Sequence, residues 1–359
     1  MPDNGIIKEE KMFHSLLSNN GVLFSAAFAA AFALTLIFGR FLIPRMREWQ
    51  KRGQPIRTDG VAAHAEKQGT PTMGGLIFIP AILISSLLFM DWSSFVSWIP
   101  LISMISFGIM GLADDYNKVV RGNSYAGLTQ RGRLIAGGAI AVALTFMIDS
   151  TMPAYMPPLS VVLPFGIIVP LGMLYFIWSY FVIVGAANAA NFTDGLDGML
   201  AKIYLAPLAV MVVALVGITR TGFMPGLIFL PETAALFPLF GAAMGGTLGF
   251  LWHNAKPAAI FAGDAGSLAL GGFLGAAALL MKSEIVMGVA SFMMVVILVS
   301  TFVQMMYYRF SKTKSNPPFL MAPLHHHLEM KGWAETKIAD RFFIASIIFS
   351  GIAVALLKL

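Results

Sequence analysis

Long runs of hydrophobic residues, separated by short polar segments, dominate the chain. About 20 consecutive apolar residues are enough to cross the hydrocarbon core of a bilayer as a helix. The sequence therefore predicts about ten membrane-spanning helices. Their approximate ranges are 21–43, 73–90, 94–113, 133–150, 160–186, 199–218, 236–252, 266–281, 285–308 and 341–357. The run from Pro158 to Ala187 is longer than one helix needs, which leaves room for a short extra segment.

Composition narrows the class of protein further. Of the 359 residues, 57% are hydrophobic and only 12% are charged, and the mean hydropathy is +0.77. Soluble domains carry about twice that share of charged residues. The sequence thus predicts an all-α polytopic membrane protein, in which residues 1–359 form a single domain that includes a polar N-terminal tail at 1–20. Because the chain has no Cys, a disulfide framework and a thiolate nucleophile are excluded.

Basic residues predict the orientation of these helices. Most of the 24 Lys and Arg residues lie in the loops 44–72, 114–133 and 309–341. Cytoplasmic loops of membrane proteins carry such an excess. With ten spans, this places both termini outside and leaves five cytoplasmic loops.

Polar residues that can do chemistry gather on this same predicted side. They are Asp114, Asp115, Asp194, Asp197, Asp264, His325, His326 and His327. Each motif alone has an ordinary explanation as a helix end, a turn, a helix cap or a solvated loop. Together, five carboxylates at one depth repel each other unless a cation lies among them. Oxygen ligands without Cys favour a hard cation such as Mg²⁺.

Basic side chains near these carboxylates indicate phosphate as the substrate group. Lys67, Lys118, Arg121 and Lys256 lie in the same loops. Phosphoryl transfer depends mainly on positioning and charge neutralisation, which such a set of residues supplies. The sequence therefore predicts a phosphoryl-transfer site at a membrane surface, suited to one soluble and one lipid substrate.

Six motifs carry a resemblance to a known family. In chain order they are KQGTPTMGG, GLADDYNK, ANAANFTDGLDG, GFLWHN, FAGDAGSLALGG and MAPLHHHLEMKGW. The chain resembles the polyprenyl-phosphate N-acetylhexosamine-1-phosphate transferases, and TPTMGG and APLHHHLE resemble the muramoyl-pentapeptide branch. Sister enzymes for other sugars carry a different His motif.

The resemblance implies a reaction and a set of partners. It implies transfer of phospho-MurNAc-pentapeptide from UDP-MurNAc-pentapeptide to undecaprenyl phosphate, giving lipid I and UMP with Mg²⁺ as cofactor. It also implies a multi-pass protein of the bacterial cytoplasmic membrane, in contact with membrane lipid, that forms a homodimer. We expect no nucleic-acid partner.

The resemblance also implies roles for individual residues. Asp264 matches the Mg²⁺ ligand, Asp114 and Asp115 match the essential acidic pair, and His325 belongs to the catalytic set. Because a phosphate monoester has a second pKa of about 6, we favour positioning over proton abstraction for Asp114. The implied substrate-binding residues are Lys67, Thr72, Asn188, Asn191, Asp194, Asp197, Asn254, Phe261, Gln304, His326 and His327.

Four positions depart from the family pattern, and two other functions stay open. The departures are Ile297, His253, Ala262 and Lys202. A sister transferase that moves GlcNAc-1-phosphate would share most of the motifs. A transporter would place its carboxylates near the bilayer midplane, usually within paired repeats, whereas here they gather at one face.

Overall fold

The computed structural model of the chain describes residues 3–50, 69–123, 126–219, 228, 230–311 and 315–357, with side chains from residue 19 onward. The α-helices of this described part are α1 (Asp3–Trp49), α2 (Gly75–Phe89), α3 (Phe95–Arg121), α4 (Gln130–Ser150), α5 (Leu174–Thr193), α6 (Met199–Ile218), α7 (Phe237–Asn254), α8 (Gly263–Leu280), α9 (Glu284–Ala290), α10 (Phe292–Phe310), α11 (Leu324–Met330) and α12 (Glu335–Leu356). Two strands, β1 (Ser160–Leu163) and β2 (Ile167–Pro170), form an antiparallel hairpin.

Within the described ranges, nine helices are long and apolar enough to cross a membrane. A tenth, α2, is apolar but has only 15 residues. At about 1.5 Å per residue it is shorter than the hydrocarbon core, which is about 30 Å thick. The prediction of an all-α polytopic membrane protein is confirmed, and each of the ten predicted spans overlaps a helix.

The predicted span at 160–186 is wrong in its first half. Residues 160–170 form the β1–β2 hairpin, and the helix α5 begins only at Leu174. Pro164 and Gly166 lie in the turn, and Pro170 and Gly172 follow it, so the backbone breaks before the helix begins. Hydrophobicity alone does not distinguish this apolar hairpin from the helix that follows it.

Two other element boundaries differ from the predictions. The span predicted at 285–308 is divided at Ser291 into the short helix α9 and the longer helix α10. The polar N-terminal residues, predicted as a tail over 1–20, are helical from Asp3 and continue into α1. Polar residues do not prevent a helix from extending beyond the apolar segment that anchors it.

Helix α8 lies at the centre of the fold and is buried along almost its whole length. It packs against α2, α3 and α5. Small residues permit this close packing: a Cβ atom at Gly111 of α3 would lie 2.1 Å from the Asp264 carbonyl oxygen, and one at Gly75 of α2 would lie 2.6 Å from the Gly266 nitrogen. These two contacts bring the starts of α2 and α8 to the end of α3.

Candidate active site

The end of α3 and the start of α8 bring three carboxylates together. Asp114 and Asp115 lie in the last two turns of α3, and Asp264 is the second residue of α8. One oxygen from each of the three lies within 4.8 Å of the others. Asp114 and Asp115 are only 1% and 2% exposed. The predicted acidic grouping of these three residues is therefore present in the structure.

Two cations compensate this negative charge. Lys118 Nζ lies 2.5 Å from Asp114 Oδ2 and 2.9 Å from Asp264 Oδ2, and Arg133 Nη1 lies 3.2 Å from the same Asp264 oxygen. Two like charges 4 Å apart repel by about 4 kcal/mol at an effective dielectric constant of about 20. The two cations offset part of that repulsion. With all three carboxylates ionised, the cluster and its two cations still carry a net charge of −1.

Hydrogen bonds hold each carboxylate in place. Asp115 Oδ2 accepts from the Ala265 amide at 3.0 Å, and Asp114 Oδ1 accepts from the Leu128 amide at 2.6 Å. Asn191 donates to Asp264 Oδ1 at 2.7 Å and to Ser267 Oγ at 2.9 Å. Asn191, predicted to bind substrate, thus contacts the acidic cluster directly.

The donor set of this cluster fits Mg²⁺. It consists of carboxylate oxygens only, and Mg²⁺ binds through one or two carboxylates while water and phosphate complete its shell. Zinc and copper sites, in contrast, usually include His or Cys ligands. The excess negative charge of the cluster also favours a divalent cation. The residues that could hold it are Asp264, Asp114 and Asp115.

The segment from Pro71 to Gly75 packs beside the acidic cluster. Its backbone pairs with the start of α8, since Phe261 donates to Pro71 O at 2.9 Å and Gly74 donates to Phe261 O at 2.8 Å. Gln50 anchors the segment through two hydrogen bonds with the backbone of Thr72, at 2.9 and 3.1 Å. The Thr72 hydroxyl is buried and has no hydrogen-bond partner among the described residues.

Asp194, Asp197 and Asn254 brace the loop 254–263. Asp194 Oδ2 accepts from the Gly263 amide at 3.1 Å, and Asp197 Oδ2 accepts from the Ala258 amide at 3.1 Å. Asn254 accepts from the Gly198 amide at 3.0 Å and donates to Ile260 O at 2.8 Å. These predicted substrate residues therefore lie together, with part of their hydrogen-bonding capacity used to fix the two loops.

The three histidines lie on α11 in different surroundings. His325 is 1% exposed and packs against Gly195, where a Cβ atom would lie 2.1 Å from its Nε2. His326 Nδ1 lies 2.7 Å from Glu329 Oε2, whereas His327 Nδ1 accepts from the Leu320 amide at 3.0 Å. Burial, followed by the charge of Lys331, lowers the pKa of His327. Of the three, His325 makes the closest approach to the 194–198 loop.

The remaining predicted residues are less closely grouped. Gln304 exchanges two hydrogen bonds with the Phe319 backbone, at 2.9 and 3.2 Å, and so orders the segment that leads into α11. Asn188 donates to Val184 O at 2.8 Å within its own helix. The Phe261 ring is half-buried. Lys67 lies outside the described residues.

The structure gives contacts for three of the four departures. Lys202 pairs with Asp340 of α12 at 2.6 Å. His253 packs against Gly39 of α1. The buried residue Ala262 accepts a backbone hydrogen bond from Gly75 at 3.1 Å. Ile297 is fully buried on α10, where an acidic side chain would be expensive to bury.

Sequence reasoning missed the positions of Arg133, Gln50 and Glu335. Lys118 is different, because it follows Asp114 by four residues on the same helix and that spacing indicates their ion pair. The other three act across loops and distant helices, and no local pattern marks them. Glu335, for example, accepts a hydrogen bond from the Asp197 amide, 138 residues away, at 2.8 Å.

Comparison with known proteins agrees with this geometry. The sequence model of glycosyl transferase family 4 matches residues 97–282. Signature 1 of phospho-N-acetylmuramoyl-pentapeptide-transferase matches residues 67–79, which include the Pro71–Gly75 segment. The chain thus has helices long and apolar enough to span a membrane, with an acidic cluster beside two cations at their ends. Together with the family match, these features define a membrane phosphosugar transferase.

Similarity to curated relatives extends over nearly the whole chain. The phospho-N-acetylmuramoyl-pentapeptide-transferase of Ruegeria sp. (strain TM1040) is 41% identical over 335 residues, which is 92% of each chain. That of Rickettsia bellii is 40% identical over 351 residues, covering 97% of this chain and 95% of the relative. The chain belongs to the phospho-N-acetylmuramoyl-pentapeptide-transferase family.

Proposed function

We propose that the protein transfers phospho-MurNAc-pentapeptide from UDP-MurNAc-pentapeptide to undecaprenyl phosphate at the cytoplasmic face of the bacterial inner membrane. A phosphate oxygen of the lipid forms a bond to the β-phosphorus of the donor. The bond from that phosphorus to the bridging oxygen breaks, and UMP leaves with this oxygen. Lipid I is the other product. The observation that carries the proposal is the cluster of three carboxylates beside Lys118 and Arg133.

Asp264, with Asp114 and Asp115 beside it, is the proposed holder of Mg²⁺. When bound, this ion would neutralise charge on the donor diphosphate. Lys118 and Arg133 supply two further positive charges beside Asp264 Oδ2. Because their positions are fixed, these two cations can stabilise the negative charge that develops on the leaving oxygen of the diphosphate during the reaction.

Asp114 is proposed to position the acceptor phosphate through Lys118 and does not need to act as a base. Its Oδ2 is already paired with Lys118, and its Oδ1 accepts from the Leu128 amide. The phosphate of the lipid is largely dianionic at neutral pH, because its second pKa is about 6. The nucleophile therefore needs alignment more than deprotonation.

The nucleotide side of the site is proposed to lie between the loops 194–198 and 254–263. The half-buried ring of Phe261 is suited to stacking on uracil, and the amide and carboxylate groups nearby suit its polar edge. His325 would close over the diphosphate from α11. The other residues assigned to this side by resemblance are Lys67, Thr72, Asn188, Asn191, Asp194, Asp197, Asn254, Gln304, His326 and His327.

UMP release by the purified protein tests the proposal. In detergent with undecaprenyl phosphate, UDP-MurNAc-pentapeptide and Mg²⁺, the wild-type protein should release UMP, and chelation should stop it. Asp264→Asn should lower kcat by about a hundredfold or more, as expected when a charge-stabilising group is lost. Asp91→Asn is the matched control, since Asp91 is exposed and lies between α2 and α3, at the opposite end of both helices.

Two results would contradict the proposal. Release of UMP with UDP-GlcNAc alone would assign the chain to the sister transferases. Equal activity of Asp264→Asn and Asp91→Asn would remove the acidic cluster from the reaction. A homodimer is proposed on family resemblance, and light scattering of the detergent-solubilised protein tests it.

A further inference from the structure

Glu335 connects three segments on the nucleotide side of the site. It is the first residue of α12 and is 8% exposed. Its Oε1 accepts from the Asp197 amide at 2.8 Å, and its Oε2 lies 2.6 Å from Lys256 Nζ. One carboxylate therefore ties the 194–198 loop and the 254–263 loop to the start of α12.

The two loops that Glu335 joins are already bonded to each other. Asp197 accepts from the Ala258 amide, and Asn254 accepts from the Gly198 amide. Glu335 adds the contacts that fix this pair of loops to the start of α12. Hydrogen bonds to a charged acceptor are about twice as strong as neutral ones, so this tie restrains the backbone of Asp197 strongly.

The same tie places α11 against the site. Only a short connection separates Met330, at the end of α11, from Glu335. His325 of α11 packs on Gly195, two residues before Asp197. Residues 195–197 are therefore held from one side by both the His helix and the start of α12.

The acidic cluster is held mainly by other contacts, apart from the hydrogen bond that Gly263, next to Asp264, donates to Asp194. Lys118, Arg133 and Asn191 hold Asp264, and none of these bonds passes through α12. Loss of the Glu335 tie should consequently disturb the loops that bind the nucleotide more than the carboxylates that hold the metal and align the acceptor.

We propose that Glu335 is a positioning residue for the nucleotide-sugar donor. It holds the Asp197 backbone and the Lys256 side chain in the arrangement that receives the donor's nucleotide. This inference rests on the proposed function, in which Asp197 and Asn254 line the nucleotide side of the site.

A matched ion pair on the same helix provides the control. Asp340 of α12 pairs with Lys202 of α6 at 2.6 Å, but both side chains are solvent-accessible and neither side chain hydrogen-bonds to the described residues of the two loops. Asp340→Asn removes an ion pair between α12 and its neighbour without touching the site. It should therefore leave the kinetics at the wild-type level.

The experiment measures kcat and the KM of each substrate separately. Glu335→Ala should raise the KM for UDP-MurNAc-pentapeptide by about tenfold, the size expected for a lost hydrogen bond to a charged group. The KM for undecaprenyl phosphate and kcat should stay within about twofold of wild type. Glu335→Gln keeps an oxygen that accepts from the Asp197 amide, so the KM for UDP-MurNAc-pentapeptide should rise only about threefold in this variant.

Several outcomes would overturn the inference. One is an equal increase in both KM values, and another is a fall in kcat alone. A third is a donor KM that is as high in Glu335→Gln as in Glu335→Ala. If Glu335→Ala does not fold, Glu335→Gln decides the matter, because a rise restricted to the donor KM supports the inference and any other pattern overturns it.

Asp197→Asn separates this inference from the function on which it rests. If that variant leaves the donor KM unchanged, the nucleotide side has been assigned to the wrong loops. If it raises the donor KM while Glu335→Ala does not, the loops are correctly assigned and only the role of Glu335 is wrong.

Discussion

Asp114, Asp115 and Asp264 carry three negative charges, and Lys118 and Arg133 return two positive ones. This balance explains why the carboxylates can lie so close together at the end of α3, where the helix dipole disfavours anions. It also leaves the negative charge that a divalent cation requires. At the scale of the residue, the site is thus a cluster of charges with a net negative charge that a divalent cation could balance.

Gly263 occupies a position that permits no side chain. Its φ is +71°, and a Cβ atom there would lie 2.4 Å from Asp115 Oδ2 and 2.6 Å from Thr72 Oγ1. We expect Gly263→Ala to displace Asp115 or Thr72 and to lower kcat/KM by about tenfold or more, since the backbone strain alone is about 1–2 kcal/mol. Steady-state assays of UMP release measure this effect.

Gly185→Ala is the matched control for that substitution. Gly185 lies in α5 with open space around its Cβ position, so the variant should keep wild-type activity. Equal activity of the two variants would mean that the geometry around Gly263 does not matter to the reaction.

His327 gives the α11 region a predicted pH dependence. Its pKa is lowered from the ordinary value of 6.5 by burial and by Lys331, so the folded state favours the neutral ring. The stabilisation is complete above pH 6.5 and is lost as pH falls below that value, because the unfolded chain then binds the proton first. Protonation also converts Nδ1 from an acceptor into a donor and breaks its bond from Leu320.

Hydrogen exchange at the Leu320 amide tests this pH dependence. After correction for intrinsic exchange, its protection should fall as pH is lowered from 7.5 to below 6.5, as a consequence of that lost acceptor. In His327→Asn, whose side-chain oxygen does not titrate, protection should be independent of pH over the same range. A pH-dependent loss that persists in this variant would exclude His327 as the cause.

Sequence reasoning predicted which acidic residues lie together better than it predicted the contacts that hold the site. Asp114, Asp115 and Asp264 are found together, as motif and charge indicated. Gln304, which is predicted to bind substrate, also exchanges two hydrogen bonds with the Phe319 backbone, and no motif indicates that contact. Glu335 acts on a residue 138 positions away, and such pairing depends on how helices pack, which one sequence does not reveal.

At the scale of the element, the length of the hydrophobic runs predicted well where the helices lie. It predicted poorly where a run is interrupted by a turn or a change of element. The helices α6 and α8 agree closely with the predicted spans, because polar loops flank them. The run before α5 was recognised as longer than one helix needs, but its β1–β2 hairpin was not predicted, because the residues of the hairpin are as apolar as those of α5. The break at Ser291 was missed for the same reason, since a single Ser does not interrupt a run of hydrophobic residues.

A buried lysine anchors that hairpin. Lys282, between α8 and α9, is 3% exposed and donates to Ser160 O of β1 at 2.9 Å and to Tyr175 Oη at 3.0 Å. Glu284, also 3% exposed, accepts from the same Tyr175 hydroxyl at 3.4 Å.

Removing this lysine should destabilise the protein and expose the hairpin. Lys282→Met removes a buried charged donor and leaves the Ser160 carbonyl and the Tyr175 hydroxyl without it, and we expect a loss of about 3 kcal/mol in the free energy of unfolding. Lys202→Met, which removes a solvent-accessible pair, should cost less than about 1 kcal/mol. Denaturant unfolding in detergent measures both losses. Equal losses would show that the Lys282 contacts contribute no more to the free energy of unfolding than the Lys202 ion pair does.

At the scale of the whole molecule, the site lies where many helix ends meet. The ends of α3, α5 and α7 and the starts of α2, α6, α8 and α12 contribute the residues described above. Helices that alternate in direction bring every second loop to one membrane face. This arrangement explains how residues spread from position 70 to position 335 can form one site at the ends of the helices.

The orientation of that face is the remaining prediction, and the absence of Cys from the chain makes it measurable. Asn123 follows α3 at the site end, whereas Ser93 precedes α3 at the opposite end, and both are exposed. Because basic loops stay in the cytoplasm, a membrane-impermeant maleimide should label Ser93→Cys in cells whose inner membrane is intact. It should label Asn123→Cys only after that membrane is permeabilised, and the reverse pattern would place the site on the outer face, away from a cytoplasmic nucleotide donor.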